Sequence, residues 1–461
     1  MGWWSNFKKK VKKAVKKYIV NPIKKVVKKV KEVIFGKPPS MDSSKFEEPT
    51  FAEQGAQGIL IQKTGSNSPI PVIYGETRTG GIQVFVKTSG TDNVDLHMAI
   101  AICEGPIESV THLYFDDVLA ATNNNSSGDS DSWSIASPWS GKVTVNFRTG
   151  TDSQSKISTL GTQMGNDPRF RGIAYCYIRL NYDKDKWKNG VPSISFQVKG
   201  KKVPSTSDGT SLSYTDNPAN CMLDYLTNVR YGKGIPVSQI DLPSFASAAT
   251  HFSNESFHCR GNLFTGVNMY DNIIDLCSAC TSSLTFGNKY QLIPEKTGSS
   301  VMTLDKTNTV GNVEYLLADK KSLINTMKIK FMDQDTEYKD NIKVLDNSTL
   351  KTQDNGNVLL RELYLPFTKT SALATKIGTQ MINQSRQSHM ISLTTTIAGL
   401  KLSVGDIVQV TNETFGITNK KFRVKETTLQ HAGEIDLILA EYSDSIYAGS
   451  IITNARDDDN D

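Results

Sequence analysis

Apolar residues in the first 38 positions fall at Trp4, Phe7, Val11, Val15, Tyr18 and Ile19, then at Ile23, Val26, Val27, Val30, Val33 and Ile34. Nearly every step is three or four residues, the spacing that stacks side chains on one face of an α-helix, and lysines fill the other face. Asn21-Pro22 divides the pattern, because the residue before a proline is pushed out of helical angles. Two amphipathic pieces of about 25 and 20 Å are therefore predicted. The second ends near Gly36, where Pro38-Pro39 prevents continuation. Helices this short are marginal alone in water, so the stripe requires a partner.

Residues 39–57 read as a polar linker, after which the pattern turns strand-like. Ile59–Ile61, Ile70–Tyr74, Ile82–Val86, Val94–Ile102, Val143–Phe147, Ile173–Leu180 and Ile194–Val198 are short apolar or alternating runs bounded by Gly, Asn, Ser and Pro. Asp116-Asp117 is the predicted tip of a hairpin, and Asn123–Ser132 a polar loop. Residues 58–205 thus form a β-rich domain.

The character changes at Asn217-Pro218-Ala219, a helix start. Further helices are expected at Pro243–His251 and Met269–Ser282, with a hairpin over Ser283–Leu292 turning at Gly287-Asn288. This makes 206–300 an α+β domain. A β-rich segment over 301–368 precedes a helix at Lys369–Gln387 and strands over His389–Glu441, together a 369–450 domain in which Gly405-Asp406 turns into Ile407–Val410. Residues 451–461 are an acidic tail. The predicted class is α+β, strand-dominated and multidomain, preceded by an N-terminal amphipathic helix.

Composition adds little until charge is divided along the chain. A length of 461 residues suits several domains, no run approaches 18 apolar residues, and lysines interrupt any would-be signal-peptide core. Six cysteines exclude a disulfide-dense scaffold. The net charge of +5 hides an asymmetry: residues 1–38 hold 13 lysines against Glu32 alone, leaving 39 basic and 46 acidic residues in the body. A body of net −7 carries an arm of net +12.

The candidate membrane- or partner-binding arm comprises Trp3, Trp4, Phe7, Val11, Val15, Tyr18, Ile19, Ile23, Val26 and Val30 with Lys12, Lys16, Lys24 and Lys28. A basic amphipathic helix with terminal tryptophans suits a membrane surface. Lysines without arginine suit phosphate neutralisation without base reading. The plainest reading packs the apolar stripe on a partner protein or on other copies of the arm.

No phosphate-cradling loop, Gly-x-Ser-x-Gly elbow or His-Glu-x-x-His motif is present. His251 and His258 are a loose pair separated by a predicted turn. Cys277 and Cys280 would need two further ligands, from Cys259, Cys221 or the histidines, to hold zinc, and their apolar helical setting favours buried thiols. Asp116-Asp117 and the Asp333, Asp335, Glu337 group are paired carboxylates, and the latter lacks the glycine and distal glutamate of a calcium loop. No catalytic residue, cofactor or metal is predicted, and the chain is read as not an enzyme.

Several segments together resemble one family. They are Pro71–Gly75, Ala101–Glu108, Asn217-Pro218-Ala219 through Leu223–Thr227 to Arg230–Gly234, Asp271–Ala279 and Val404–Val408. In that order, across about 58–445, they resemble the tail-tip hub of long-tailed bacteriophages, the lambda-type J or host-specificity family. The resemblance implies β-barrel-like tube domains occurring twice per chain and a homotrimeric structural protein at the distal tip of the virion tail. Implied partners are the tail tube or distal tail protein, the tape-measure protein and a tip fibre. It also implies that the hub gates passage of tape-measure protein and of DNA, which crosses without sequence-specific binding. Relatives continue into fibronectin-like modules and a fibre, whereas this chain stops soon after Gly405-Asp406, so a separate fibre or receptor-binding protein is expected. A host membrane is a further partner through residues 1–38. The rival reading is a membrane-active or cell-wall-degrading tail protein, for which no acid/base pair is evident.

Overall fold

A computed structural model describes residues 63–64, 68–187, 190–317, 322–387, 389–430, 433–448 and 454–457. The amphipathic arm lies outside these residues. The described residues divide into two compact units that alternate along the sequence: one takes residues 63–295, 325–379 and 454–457, the other 296–324 and 380–448.

The larger unit opens with a β-sandwich. One sheet has the order Lys63–Thr64, Ile82–Ser89, Asp95–Glu104, Ile173–Asn181, Val143–Arg148. The other runs Leu212–Tyr214, Ile194–Pro204, Ile107–Phe115, Val118–Asn123, Trp133–Ile135, with Glu76–Thr79 on the same edge of Ile194–Pro204 as Leu212–Tyr214. Ile100, Ile102, Phe147 and Ile178 of the first sheet share a core with Val110, Leu113, Ile194 and Phe196 of the second. Trp139 and Trp187 meet Phe115 edge-on, ring centroids 5.4 and 5.9 Å away. Met98–Cys103 is apolar throughout because both its faces are covered. Ile100 and Ile102 face the sandwich core, while Ala99 packs with Ile157, Leu160, Tyr175 and Tyr177 around the short helix Ser158–Met164.

Three helices follow. Pro218–Thr227 begins at Asn217, whose side chain accepts from the Ala219 N–H, with proline in the first position. Leu242–Asn254 comes next, and Met269–Ser278 is capped in the same way by Asn268. The hairpin Ser282–Phe286/Tyr290–Pro294 turns where the sequence places it. A four-stranded sheet, ordered Leu360–Tyr364, Thr326–Asp333, Lys339–Asp346, Asn454–Asp457, completes this unit.

The smaller unit is built on a six-stranded sheet ordered Ser300–Leu304, Ile407–Asn412, Ile417–Leu429, Ile435–Glu441, His389–Thr395, Thr309–Leu317. Its apolar face buries Ile391, Val408, Phe422, Val424, Leu437 and Leu439. The expected barrel is corrected here: no closed barrel forms among the described residues. The two edge strands are joined by four residues, a link of at most about 19 Å, while six flat strands span about 24 Å. The sheet therefore curls, but its edges exchange no ladder bonds and the seam stays open. The sandwich of the larger unit is likewise two open sheets. The strand-dominated α+β class holds.

Candidate functional site

Four of the five segments that carry the family resemblance meet in one largely buried polar knot, while Val404–Val408 belongs to the smaller unit. Asp224, on the inner face of Pro218–Thr227, is 4% exposed. Its Oδ2 accepts from the hydroxyls of Tyr74 at 2.7 Å and Tyr231 at 2.6 Å. Lys201 Nζ donates to the Gly105 carbonyl and lies 5.3 Å from the centre of the Tyr231 ring. Arg230 pairs with Glu104 at 3.0 Å, and Asn272 Nδ2 donates to the Tyr225 hydroxyl at 3.1 Å. Glycines permit the close approaches. Gly75 adopts φ +59° where a Cβ would sit 2.6 Å from the Cys259 carbonyl, and a Cβ on Gly232 would overlap the Tyr225 carbonyl oxygen.

Burial pushes the Asp224 carboxyl up, opposed by the two tyrosine hydroxyls and by Lys201. Burial also lowers the Lys201 ammonium, and burial with the Asp224 charge drives Tyr231 far above the phenol range. These shifts stabilise no reactive form. Each charge has a partner, and the knot ties together segments separated by up to 198 positions, from Tyr74 to Asn272. It is a weld.

A second polar region is open to solvent. Arg78, missed by sequence reasoning, is 2% exposed on Glu76–Thr79. Its Nε donates to Ser195 Oγ at 2.9 Å, Nη2 pairs with Asp117 at 2.6 Å, and the guanidinium lies 4.1 Å from the Tyr114 ring centre. The two carboxylate groups singled out in the sequence converge here. Asp116 and Asp117 form the two-residue hairpin tip with φ of 47° and 65°, and the Glu337 carbonyl faces Arg78 Nη1 at 3.5 Å. Asp333 instead caps its own turn, accepting from the Asp335 N–H and from Asn341. Glu76, Arg78, Tyr114, Gln197, Gln334, Asp335, Glu337 and Tyr338 line a concavity of about 350 Å³. The only sequence signal for Arg78 is a lone charge between Thr77 and Thr79 in a strand-like run.

The remaining candidates separate. His258 Nδ1 lies 3.1 Å from Asp216, which also takes Arg260 Nε at 2.8 Å, while His251 packs near Phe252 and Phe257. The turn expected between the two histidines is displaced, since the helix carries on through Asn254. Cys280 Sγ sits 3.1 Å from Ser282 Oγ, and burial pushes the Cys277 thiol up to about 11. All six cysteines are free thiols, and among the described residues no group of three or more His, Cys, Asp or Glu side chains is placed to hold a metal.

Residues 269–427 match the sequence family described as "Putative phage tail protein". The chain is 22% identical over 504 aligned positions to baseplate hub protein pb3 of Escherichia phage T5, covering 91% of this chain and 52% of that protein. It is 22% identical over 307 positions to tip attachment protein J of Escherichia phage SECphi27, covering 58% and 24%. The chain thus spans about half of the first relative and a quarter of the second. Its fold matches a chain from the virion of a native gene transfer agent particle with a TM-score of 0.60 at 15% identity, covering 85% of this chain and 88% of that one. The resemblance to phage tail-tip hub proteins is borne out, and with it the location at the distal tip of the virion tail.

Proposed function

We propose that this chain is a structural hub protein of a phage tail, assembled as a homotrimer that joins the tail tube to tip fibres and gates the passage of tape-measure protein and DNA. The observation that carries this reading is the likeness to a baseplate hub protein across 91% of the chain. The physical character of the chain supports it. Its polar groups are spent on welding segments rather than on poising a nucleophile or a proton donor. A body of net −7 per copy repels DNA wherever it faces a lumen. No catalytic step belongs to this role, so peptidoglycan incubated with the protein is expected to release no soluble fragments.

Native mass measurement of the purified protein, with antibody labelling of intact virions, tests the proposal. Three chains per particle and label at the tail tip are expected. A lone chain absent from virions overturns it. Within this role, the apolar stripe from Trp3 to Val30 contacts a partner protein or the host membrane. Liposome co-sedimentation of full-length protein against a variant lacking residues 1–38 separates the two, since equal binding by both removes the membrane.

A further inference from the structure

The concavity beside Arg78 has the chemistry of a receptor for an ammonium group. Arg78 is already paired with Asp117, so the charge left over is that of Glu76, Asp335 and Glu337. Glu76 Oε1 accepts from Gln197 Nε2 at 2.6 Å, but no cation among the described residues pairs with this carboxylate. Its field reaches the surrounding rings, helping to raise Tyr114, Tyr214 and Tyr338 above the phenol range. Tyr338 is 8% exposed and lines the concavity, yet its hydroxyl has no hydrogen-bond partner among the described residues. Glu337 holds only a loose pair with Lys339 at 3.7 Å, with both side chains mostly in solvent.

A half-buried carboxylate, an unfilled phenol oxygen and an aromatic wall match an ammonium group, which offers three N–H donors and binds over π faces. They do not match a divalent metal, which requires several converging oxygen ligands that this site lacks. The chain itself carries such groups in abundance. Its arm carries 13 lysines and no arginine, while the rest of the sequence is acidic. The 24 residues from 39 to 62 have contour for about 80 Å, enough to reach this unit within the same polypeptide.

We propose that the concavity lined by Glu76, Asp335, Glu337 and Tyr338 docks a lysine of the chain's own N-terminal arm. The inference stands apart from the hub reading, because it concerns one polypeptide and needs no virion.

The test is zero-length carbodiimide cross-linking of the full-length protein at low salt, with the linked peptides sequenced by mass spectrometry. Amide links from a lysine among residues 8–31 to Glu76, Asp335 or Glu337 are expected, and they vanish in the full-length triple variant E76Q/D335N/E337Q. The pair Lys421–Asp444, 2.9 Å apart in the other unit, reports on the reaction in both proteins. Trypsin should also cut the arm of the triple variant roughly fivefold faster, the change that about 1 kcal/mol of lost pairing gives. The proposal is overturned if Lys421–Asp444 links form while arm lysines link elsewhere or nowhere. It is equally overturned if the triple variant leaves the arm's links and cleavage rate unchanged.

Discussion

The knot around Asp224 and the concavity beside Arg78 belong to the same unit and use the same residue types, yet they do opposite things with water. At the centre of the knot the charges are shut away and matched: two tyrosine hydroxyls and Lys201 answer one carboxylate, and only Arg230 at its margin reaches solvent. At the concavity only Arg78 is shut away, and the acids around it stay wet. Burying a charge is expensive, so a closed polar site persists only when each member is satisfied. An open site bears no such penalty and can keep charge unpaired until a partner arrives. The difference separates what holds this fold together from what it can still bind.

The largest test of that contrast is Asp224→Ala. Two buried hydroxyls lose their acceptor and Lys201 loses a nearby countercharge, and about 3–5 kcal/mol of stability should go with them. Guanidinium unfolding followed by tryptophan fluorescence reports on the right unit, because Trp133, Trp139 and Trp187 pack around its sandwich. Arg78→Ala should cost about 2–3 kcal/mol, less because Asp117 is 48% exposed. Arg78→Lys should recover little, since one ammonium cannot serve Ser195 and Asp117 and also lie flat on Tyr114.

Next in size is a pH effect carried by two other enclosed groups. Burial, with Asp271 nearby, raises Asp275 to about 7, so between about 4 and 7 the folded chain keeps a proton that the unfolded chain releases. That contribution falls as pH rises through this window. Burial lowers Lys369 to about 7 against a small upward pull from Asp340 and Cys259, so above pH 7 the folded chain has already lost a proton that the unfolded chain keeps to about 10.5. This second contribution grows with pH. Together they give a stability minimum near neutrality. Asp275→Asn should remove the descending limb and stabilise by about 1–3 kcal/mol at pH 8, measured by unfolding midpoints across pH. Smallest of all, D335N and E337Q at the concavity rim should each change stability by less than about 0.5 kcal/mol. A larger loss at the rim would mean that the open site is structural after all.

Much of the architecture was legible. Alternation at Ile82–Val86, the cap at Asn217-Pro218 and the Gly287-Asn288 turn are local signals, and local structure follows them. What escaped depends on distant neighbours. Ser158–Met164 is short and has no side-chain cap, so nothing in its own residues announces the helix that covers Ala99 and Tyr175. Lys339–Asp346 is too polar to read as a strand and is held by pairing along its whole length with Thr326–Asp333. The barrel was inferred from likeness, and whether a curled sheet seals is decided at edges that no local pattern encodes. Apart from Lys201, the knot's residues were visible as motifs, but their meeting point was not. Arg78 looked like any strand arginine until its burial was known.

The alternation of the two units along the sequence has a consequence for how such genes can be shuffled. The smaller unit draws the strands Ser300–Leu304 and Thr309–Leu317 from before residues 325–379, a stretch belonging to its neighbour, and four more strands from after it. No single crossover can transplant either body intact. Each exchanged cassette must carry both, or leave a half-sheet without its complement, so recombination between related viruses is constrained to trade the pair as one indivisible block.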